Sequence, residues 1–133
     1  MARLVLDTNI LISALGWGGK PKEVLESCIL GKHELLMSAE LMDELVSVLK
    51  RPKFDFIETE KKAQLLKDLA IIAEIIRPAI KLNAVPEDPA DNKVLECAVA
   101  GKADCIISGD EHLLSLKAYS SVKVVSADGF AAQ

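Results

Sequence analysis

Residues 4–12, LVLDTNILI, place an aspartate and two further polar residues inside an otherwise apolar run. The apolar residues before the aspartate are consecutive and do not alternate, which is typical of a strand buried on both faces in a parallel sheet. We therefore expect a buried strand over residues 3–7 and a helix over residues 10–15. Asp7 would then lie at the carboxyl end of the strand, where a buried carboxylate needs a partner to offset its lost hydration.

The composition favours one folded domain over residues 1–133. Half of the residues are hydrophobic, but no apolar run reaches the ~20 residues that span a bilayer, and the N-terminus lacks a signal-peptide pattern. We expect a cytoplasmic protein with no membrane partner. Cys28, Cys97 and Cys105 are isolated in apolar surroundings, which favours small buried side chains over disulfides or a zinc site.

Strand-like runs alternate with helical patterns along the rest of the chain. Strands are predicted over residues 34–37, 75–76, 105–108 and 122–125. Helices are predicted from Pro21 to a stop at Gly31, from a cap at Ser38 to about Arg51, from a cap at Thr59, from a cap at Asp88 through Pro89 to Gly101, and over residues 111–116.

This alternation predicts an α/β fold of three layers, α/β/α, in which a central parallel sheet of four to five strands has helices on both faces. In such sheets a ligand site lies beyond the carboxyl ends of the strands, at the point where the strand order reverses. The acidic residues predicted near that edge are therefore candidates for a site.

Four carboxylates are predicted at this edge. Asp7 and Asp110 follow two of the predicted strands, whereas Glu44 and Asp91 lie on the inward stripes of their helices, unlike Asp43. A helix N-cap is an alternative interpretation of Asp110, and an interaction with the helix dipole is an alternative interpretation of Asp91.

Carboxylates gathered this closely raise one another's pKa unless a cation is present, and hard oxygen ligands favour Mg²⁺ or Mn²⁺ over zinc. Such clusters most often serve phosphodiester hydrolysis.

Three motifs follow one another over essentially the whole chain: LVLDTNILISAL, SAELMDELVSVLKRPKF and DPADNKVLECAVAGKADCIISGDEHLL. In order and spacing this set resembles the PIN-domain family of metal-dependent ribonucleases, which includes the toxins of VapC-like type II toxin-antitoxin pairs. The resemblance implies a PIN-like fold and an endoribonuclease in which the catalytic, metal-binding residues are Asp7, Glu44, Asp91 and Asp110.

The resemblance also implies supporting roles for Thr8, Asn9 and Ser108. His112 stands where relatives in this branch often have a second aspartate, and it could still lie near a second metal or a phosphate. Asp104 lies at the opposite end of its strand, and we interpret it as structural.

An RNA substrate, a small antitoxin that fills the active-site groove, and a homodimer are further implications of the resemblance. The net charge of −4 argues against general coating of nucleic acid. The cations near the predicted site are either substrate contacts or ordinary surface side chains: Lys50, Arg51 and Lys53 after the Glu44 helix, with Lys20 and Lys93 elsewhere.

Other phosphate chemistries match the sequence less well. An aspartyl-phosphate enzyme needs a second acid at position 9, which is Asn9, and GWGGKP lacks the first glycine and the final Ser or Thr of a phosphate loop. We interpret GWGGKP as a turn and Trp17 as a core or partner-facing aromatic. Two alternatives to the toxin remain open, a catalytically inactive PIN-like interaction module and a housekeeping RNA-processing nuclease.

Overall fold

The sheet is built from six strands in the part of the chain that the computed structural model describes, residues 1–79, 81 and 89–131. The strands are β1 Arg3–Leu6, β2 Glu34–Ser38, β3 Glu74–Ile76, β4 Cys105–Ile107, β5 Ala118–Tyr119 and β6 Val122–Val125. Their order across the sheet is β3-β2-β1-β4-β6-β5. All neighbouring strands are parallel except β5 and β6, which are antiparallel.

Helices surround this sheet. They are α1 Thr8–Gly16, α2 Gly19–Ile29, α3 Ala39–Leu49, α4 Thr59–Ile72, α5 Pro89–Ala100, α6 Glu111–Leu114 and α7 Ala127–Ala131, with a 3₁₀ turn at Pro52–Phe54. Helix α5 packs on β1, β2 and β4, and α1 packs on α2. Within the described ranges, no helix combines the length and the apolar character needed to cross a membrane.

The predicted α/β class is confirmed, with one correction to the sheet. It has six strands and is mixed, where four to five parallel strands were predicted. The additional strand, β5, is only two residues long and turns into β6 through Ser120, whose φ is +55°. Such tight hairpins normally carry glycine or asparagine. Because this turn has serine instead, the sequence gave no indication of the hairpin or of β5.

Strand β1 confirms the interpretation of the opening run. Leu4, Val5 and Leu6 are at most 2% exposed, and β1 lies between β2 and β4 in the middle of the sheet. The strand ends at Leu6, so Asp7 stands between β1 and α1.

Two of the predicted helix signals are confirmed by hydrogen bonds. The N–H of Leu41 donates to Ser38 Oγ at 3.2 Å, which makes Ser38 the cap of α3. Gly31 follows α2 with a φ of +81°, and the N–H groups of Gly31 and Lys32 donate to carbonyl oxygens in the last turn. This is a Schellman ending, which favours glycine.

Two predicted helix starts were wrong. Helix α2 begins at Gly19 and not at Pro21, because the turn at Gly18 and Gly19 reverses the chain directly out of α1. Pro21 still lies in the first turn, where a missing N–H removes no helical bond. Thr59 is the first residue of α4 and not its cap, because the N–H groups of Lys61 and Lys62 donate to the carbonyl of Glu58. The predicted cap Asp88 lies outside the described residues.

Candidate metal centre

The topology brings the ends of β1 and β4 together. From β1 the chain extends the sheet in one direction to β2 and β3, whereas β4 and β6 lie on the other side of β1. The strand order therefore reverses between β1 and β4, which is where open α/β sheets bind ligands. Asp7 follows β1 and Ser108 follows β4 at this point, and the N–H of Asp7 donates to the carbonyl of Ile107 at 3.0 Å.

Asp7 is a buried carboxylate, only 5% exposed. It occupies the N-cap position of α1, but its side chain does not cap that helix. Burial raises the pKa of Asp7 from 3.8 to about 6; the hydrogen bond from Ser108 opposes this rise, and the negative charges of Glu44 and Asp110 add to it. A cation bound nearby would stabilise the ionised form of this carboxylate.

Ser108 links the two strand ends. Its hydroxyl donates to Asp7 Oδ2 at 2.8 Å and accepts the N–H of Asp110 at 3.0 Å. The side chain is fully buried. Ser108 therefore fixes the position of Asp7 relative to the turn that carries Asp110.

Asp110 both caps a helix and lies in the acidic cluster. Its Oδ1 accepts the N–H of His112 at 2.7 Å, so the helix-cap interpretation is correct for α6. Asp110 also lies beside Asp91 and His112, and the three side chains each offer a ligand atom within 4.8 Å of the other two. Asp91, in the first turn of α5, is 4% exposed, whereas His112 is exposed.

Glu44 reaches the same region from α3. Thr8 Oγ1 donates to Glu44 Oε2 at 3.3 Å, which joins α3 to the first residue of α1. Glu44 is half-buried, while Leu41 and Leu45 on the same stripe are fully buried. Asn9 is exposed and makes no side-chain hydrogen bond in the described part of the chain, so its supporting role stays a prediction.

The four predicted carboxylates thus form one connected set. Glu44 accepts a hydrogen bond from Thr8, the residue after Asp7, and Ser108 bonds both the Asp7 carboxylate and the backbone N–H of Asp110. A carboxylate oxygen of Asp110 lies within 4.8 Å of one of Asp91. Asp104, predicted to be structural, accepts the N–H of Arg3 at 2.7 Å at the other end of the strand.

The predicted cations lie on three parts of the chain. Lys20 pairs with Glu23 at 3.1 Å on α2, and Lys93 is exposed on α5. Lys50, Arg51 and Lys53 are all exposed just beyond the end of α3.

Two buried polar residues of α5, Asn92 and Glu96, were not predicted. Both have partners. Glu96 stands between Leu95 and Cys97 in an apolar run. A charged residue in such a run indicates a buried polar side chain, and this signal was missed.

The donor set fits a hard or borderline divalent cation. Two carboxylates and an imidazole converge, and such ligands suit Mg²⁺, Mn²⁺ and similar ions. Burial raises the pKa of the Cys28 thiol to about 11 and that of Cys97 to about 12, so these are neutral core side chains, as predicted.

Comparison with known proteins identifies the family. The PIN-domain family model matches residues 3–112. The chain belongs to the PIN-domain family. PIN domains are generally nucleases and typically use divalent metals, so the acidic set lies in a fold with that chemistry. No curated protein matches the chain significantly in sequence.

Two solved structures share the PIN fold. One, at 18% identity and a TM-score of 0.61, is VapBC2 from Rickettsia felis bound to a DNA fragment from its promoter; the match covers 92% of this chain and 96% of the other. The second is FitAcB from Neisseria gonorrhoeae, at 19% identity and a TM-score of 0.57, covering 93% and 97%. At these identities the matches show the fold and nothing finer.

Proposed function

We propose that this PIN domain is a Mg²⁺- or Mn²⁺-dependent endoribonuclease and the toxin of a toxin-antitoxin pair. One observation carries the catalytic part: the carboxylates Asp7, Glu44, Asp91 and Asp110 come from separate elements and lie near one another at the topological switch point. A purely structural role does not explain why a like-charged set is gathered there, because each member raises the free energy of the others.

Three side chains form the candidate cation site. Asp91, Asp110 and His112 are close enough together to hold a divalent cation. Asp7 lies near enough to Asp110 and Glu44 for their charges to raise its pKa. When bound, such a cation lowers the pKa of a water and stabilises the leaving oxygen.

The chain itself orients the groups around that cation. Ser108 donates a hydrogen bond to Asp7 Oδ2, and the hydroxyl of Thr8 donates one to Glu44 Oε2. Burial raises the pKa of Asp7 in the metal-free protein, and a bound cation would lower that pKa and keep Asp7 ionised.

The catalytic proposal is tested by cleavage of a panel of structured RNAs with Mg²⁺, with Mn²⁺ and with EDTA. We expect cleavage only with metal, and a loss of at least about 100-fold in Asp7→Asn and Asp91→Asn. Asp43→Asn is the matched control, because Asp43 is an exposed acid beside Glu44 on the same helix. Equal activity in EDTA, or full activity in both active-site variants, contradicts the proposal.

The toxin proposal draws on the two structural neighbours, VapBC2 and FitAcB, which are toxin-antitoxin complexes. We propose an antitoxin partner, a homodimer and an RNA target in the cytoplasm. Expression of the chain alone should arrest growth, and expression with a small protein encoded beside it should restore growth. Arrest that no neighbouring gene relieves would favour a housekeeping nuclease, and growth with no RNA cleavage would favour an interaction module.

A further inference from the structure

Two aromatic side chains form an exposed patch. Trp17 and Phe56 are 70% and 57% exposed, and their ring centroids lie 5.4 Å apart with the planes at 62°. Phe56 also lies against the end of α1, since a Cβ atom at Gly16 would be 3.2 Å from Phe56 Cζ. We call Trp17 and Phe56 the aromatic patch.

Three cations precede Phe56 on the segment between α3 and the patch. Lys50, Arg51 and Lys53 are exposed, and none of them forms an ion pair within the residues that the structure describes. Lys53 Nζ lies 5.1 Å from the Phe54 ring centroid. Asp55 is the one acid among residues 50–56, in a chain whose net charge is −4.

Two elements connect the patch to the acidic set. Helix α1 begins at Thr8, beside Asp7, and ends at Gly16, next to Trp17. Its length corresponds to ~14 Å at 1.5 Å per residue, or about four stacked nucleotides at ~3.4 Å each. Helix α3 carries Glu44 and ends immediately before Lys50.

We propose that the aromatic patch stacks an unpaired base of a single-stranded RNA segment whose phosphates contact Lys50, Arg51 and Lys53. This inference deepens the proposed function, on which it rests for the identity of the polymer. Aromatic side chains beside cations are the usual means of holding single strands, and stacking tolerates any base. A protein interface fits less well, because exposed lysines are depleted from the centres of such interfaces.

Trp17 is the only tryptophan in the chain, so its fluorescence reports directly on the patch. The catalytically impaired Asp7→Asn protein is titrated with short oligouridylate and oligoadenylate in Mg²⁺. We expect both RNAs to quench Trp17.

Variants measure the contribution of each group to affinity, read as anisotropy of labelled RNA. In the Asp7→Asn background, Trp17→Ala and Phe56→Ala should each weaken binding by about 5- to 100-fold, whereas Trp17→Phe should keep most of the affinity. Ile71→Ala is the matched control, because Ile71 is an exposed apolar side chain, 81% accessible, and its removal should change nothing. Arg51→Ala with Lys53→Ala should reduce the salt dependence of log Kd by about one for each cation removed.

Several outcomes overturn the inference. It fails if neither RNA quenches Trp17, or if Ile71→Ala weakens binding as much as Trp17→Ala. It also fails if Trp17→Ala leaves RNA affinity unchanged but converts a dimer to a monomer in sedimentation, since the patch is then an interface between copies. Cleavage of the same RNAs by the wild-type protein is measured separately. Cleavage without quenching of Trp17 contradicts only the RNA-binding role of the aromatic patch. Quenching without cleavage contradicts only the proposed nuclease activity.

Discussion

Asp7 has an unfavourable electrostatic position. It is buried, it faces the charges of Glu44 and Asp110, and its pKa rises to about 6 even though Ser108 donates a hydrogen bond to it. The sequence predicted this position because a charge stood at the end of an apolar strand. It could not predict the contact with Ser108, since the two residues are 101 positions apart and only the pairing of β1 with β4 brings them together.

The raised pKa of Asp7 predicts a pH dependence of stability in EDTA. The folded-state pKa, about 6, lies above the ordinary value of 3.8, so the folded protein binds a proton more tightly than the unfolded chain. The contribution of Asp7 to the free energy of unfolding should therefore be fully present below about pH 4 and be lost as the pH rises to about 6. The difference between the two pKa values corresponds to about 3 kcal/mol.

Asp7→Asn should remove this penalty. In urea unfolding at pH 8 with EDTA, we expect the variant to be more stable than the wild type by about 1–3 kcal/mol, with a smaller pH dependence between 4 and 6. The side chain of asparagine can still accept the Ser108 hydrogen bond. A variant that is less stable than the wild type at pH 8 would show that Asp7 is not a source of strain.

Ser108→Ala tests the positioning of Asp7. Loss of the two hydrogen bonds through Ser108 Oγ should lower RNA cleavage by about 10- to 100-fold. Because Ser108 lowers the pKa of Asp7, the acidic limb of the pH-rate profile should also move to higher pH. Reduced activity with an unchanged profile would mean that Ser108 acts on folding alone.

His112 predicts a metal preference. Imidazole nitrogen suits Mn²⁺ and later transition metals better than Mg²⁺, which selects oxygen ligands. His112→Ala should therefore weaken Mn²⁺ binding by about tenfold and leave Mg²⁺ binding nearly unchanged in calorimetry. Equal losses for the two metals would contradict this preference, and no loss for either would exclude His112 as a ligand.

At the scale of elements, the sequence predicted the strands that are consecutive apolar runs and the helices that have clear caps. It did not predict β5, the 3₁₀ turn Pro52–Phe54 or α7, because each is short and its position depends on neighbouring elements. Strand β5 pairs with β6, and α7 packs on α2. The start of α2 was misplaced because a glycine turn and a proline in the first helical turn give competing signals.

Helix α5 makes a close approach to the sheet that can be tested. A Cβ atom at Gly101 would lie 2.8 Å from Leu36 Cδ1 and 2.9 Å from Ile76 Cγ1, on β2 and β3. Gly101→Ala should therefore lower the free energy of unfolding by about 1–3 kcal/mol. Gly109→Ala is the control for stability, since its Cβ would meet nothing within 4 Å. Equal stability of the two variants would contradict the tight packing of α5.

At the scale of the whole molecule, alternating strands and helices predicted the fold class, and in such a fold a ligand site is expected beyond the carboxyl ends of the strands. Only the structure shows that the strand order reverses between β1 and β4. The connectivity among Asp7, Glu44, Asp91 and Asp110 required the structure, since it depends on the register of β1 with β4 and on the packing of α3 and α5. Trp17 was predicted as a core or partner-facing aromatic, and its exposure excludes the core.

The central claim is that the acidic set at the switch point is a divalent-metal centre. Isothermal titration of Mn²⁺ into the metal-free protein tests it most directly, with Asp91→Asn and the exposed-acid control Asp43→Asn beside the wild type. We predict saturable binding to the wild type and to Asp43→Asn, and loss of binding in Asp91→Asn. Equal Mn²⁺ affinity in all three proteins, or no binding to the wild type, would contradict the account.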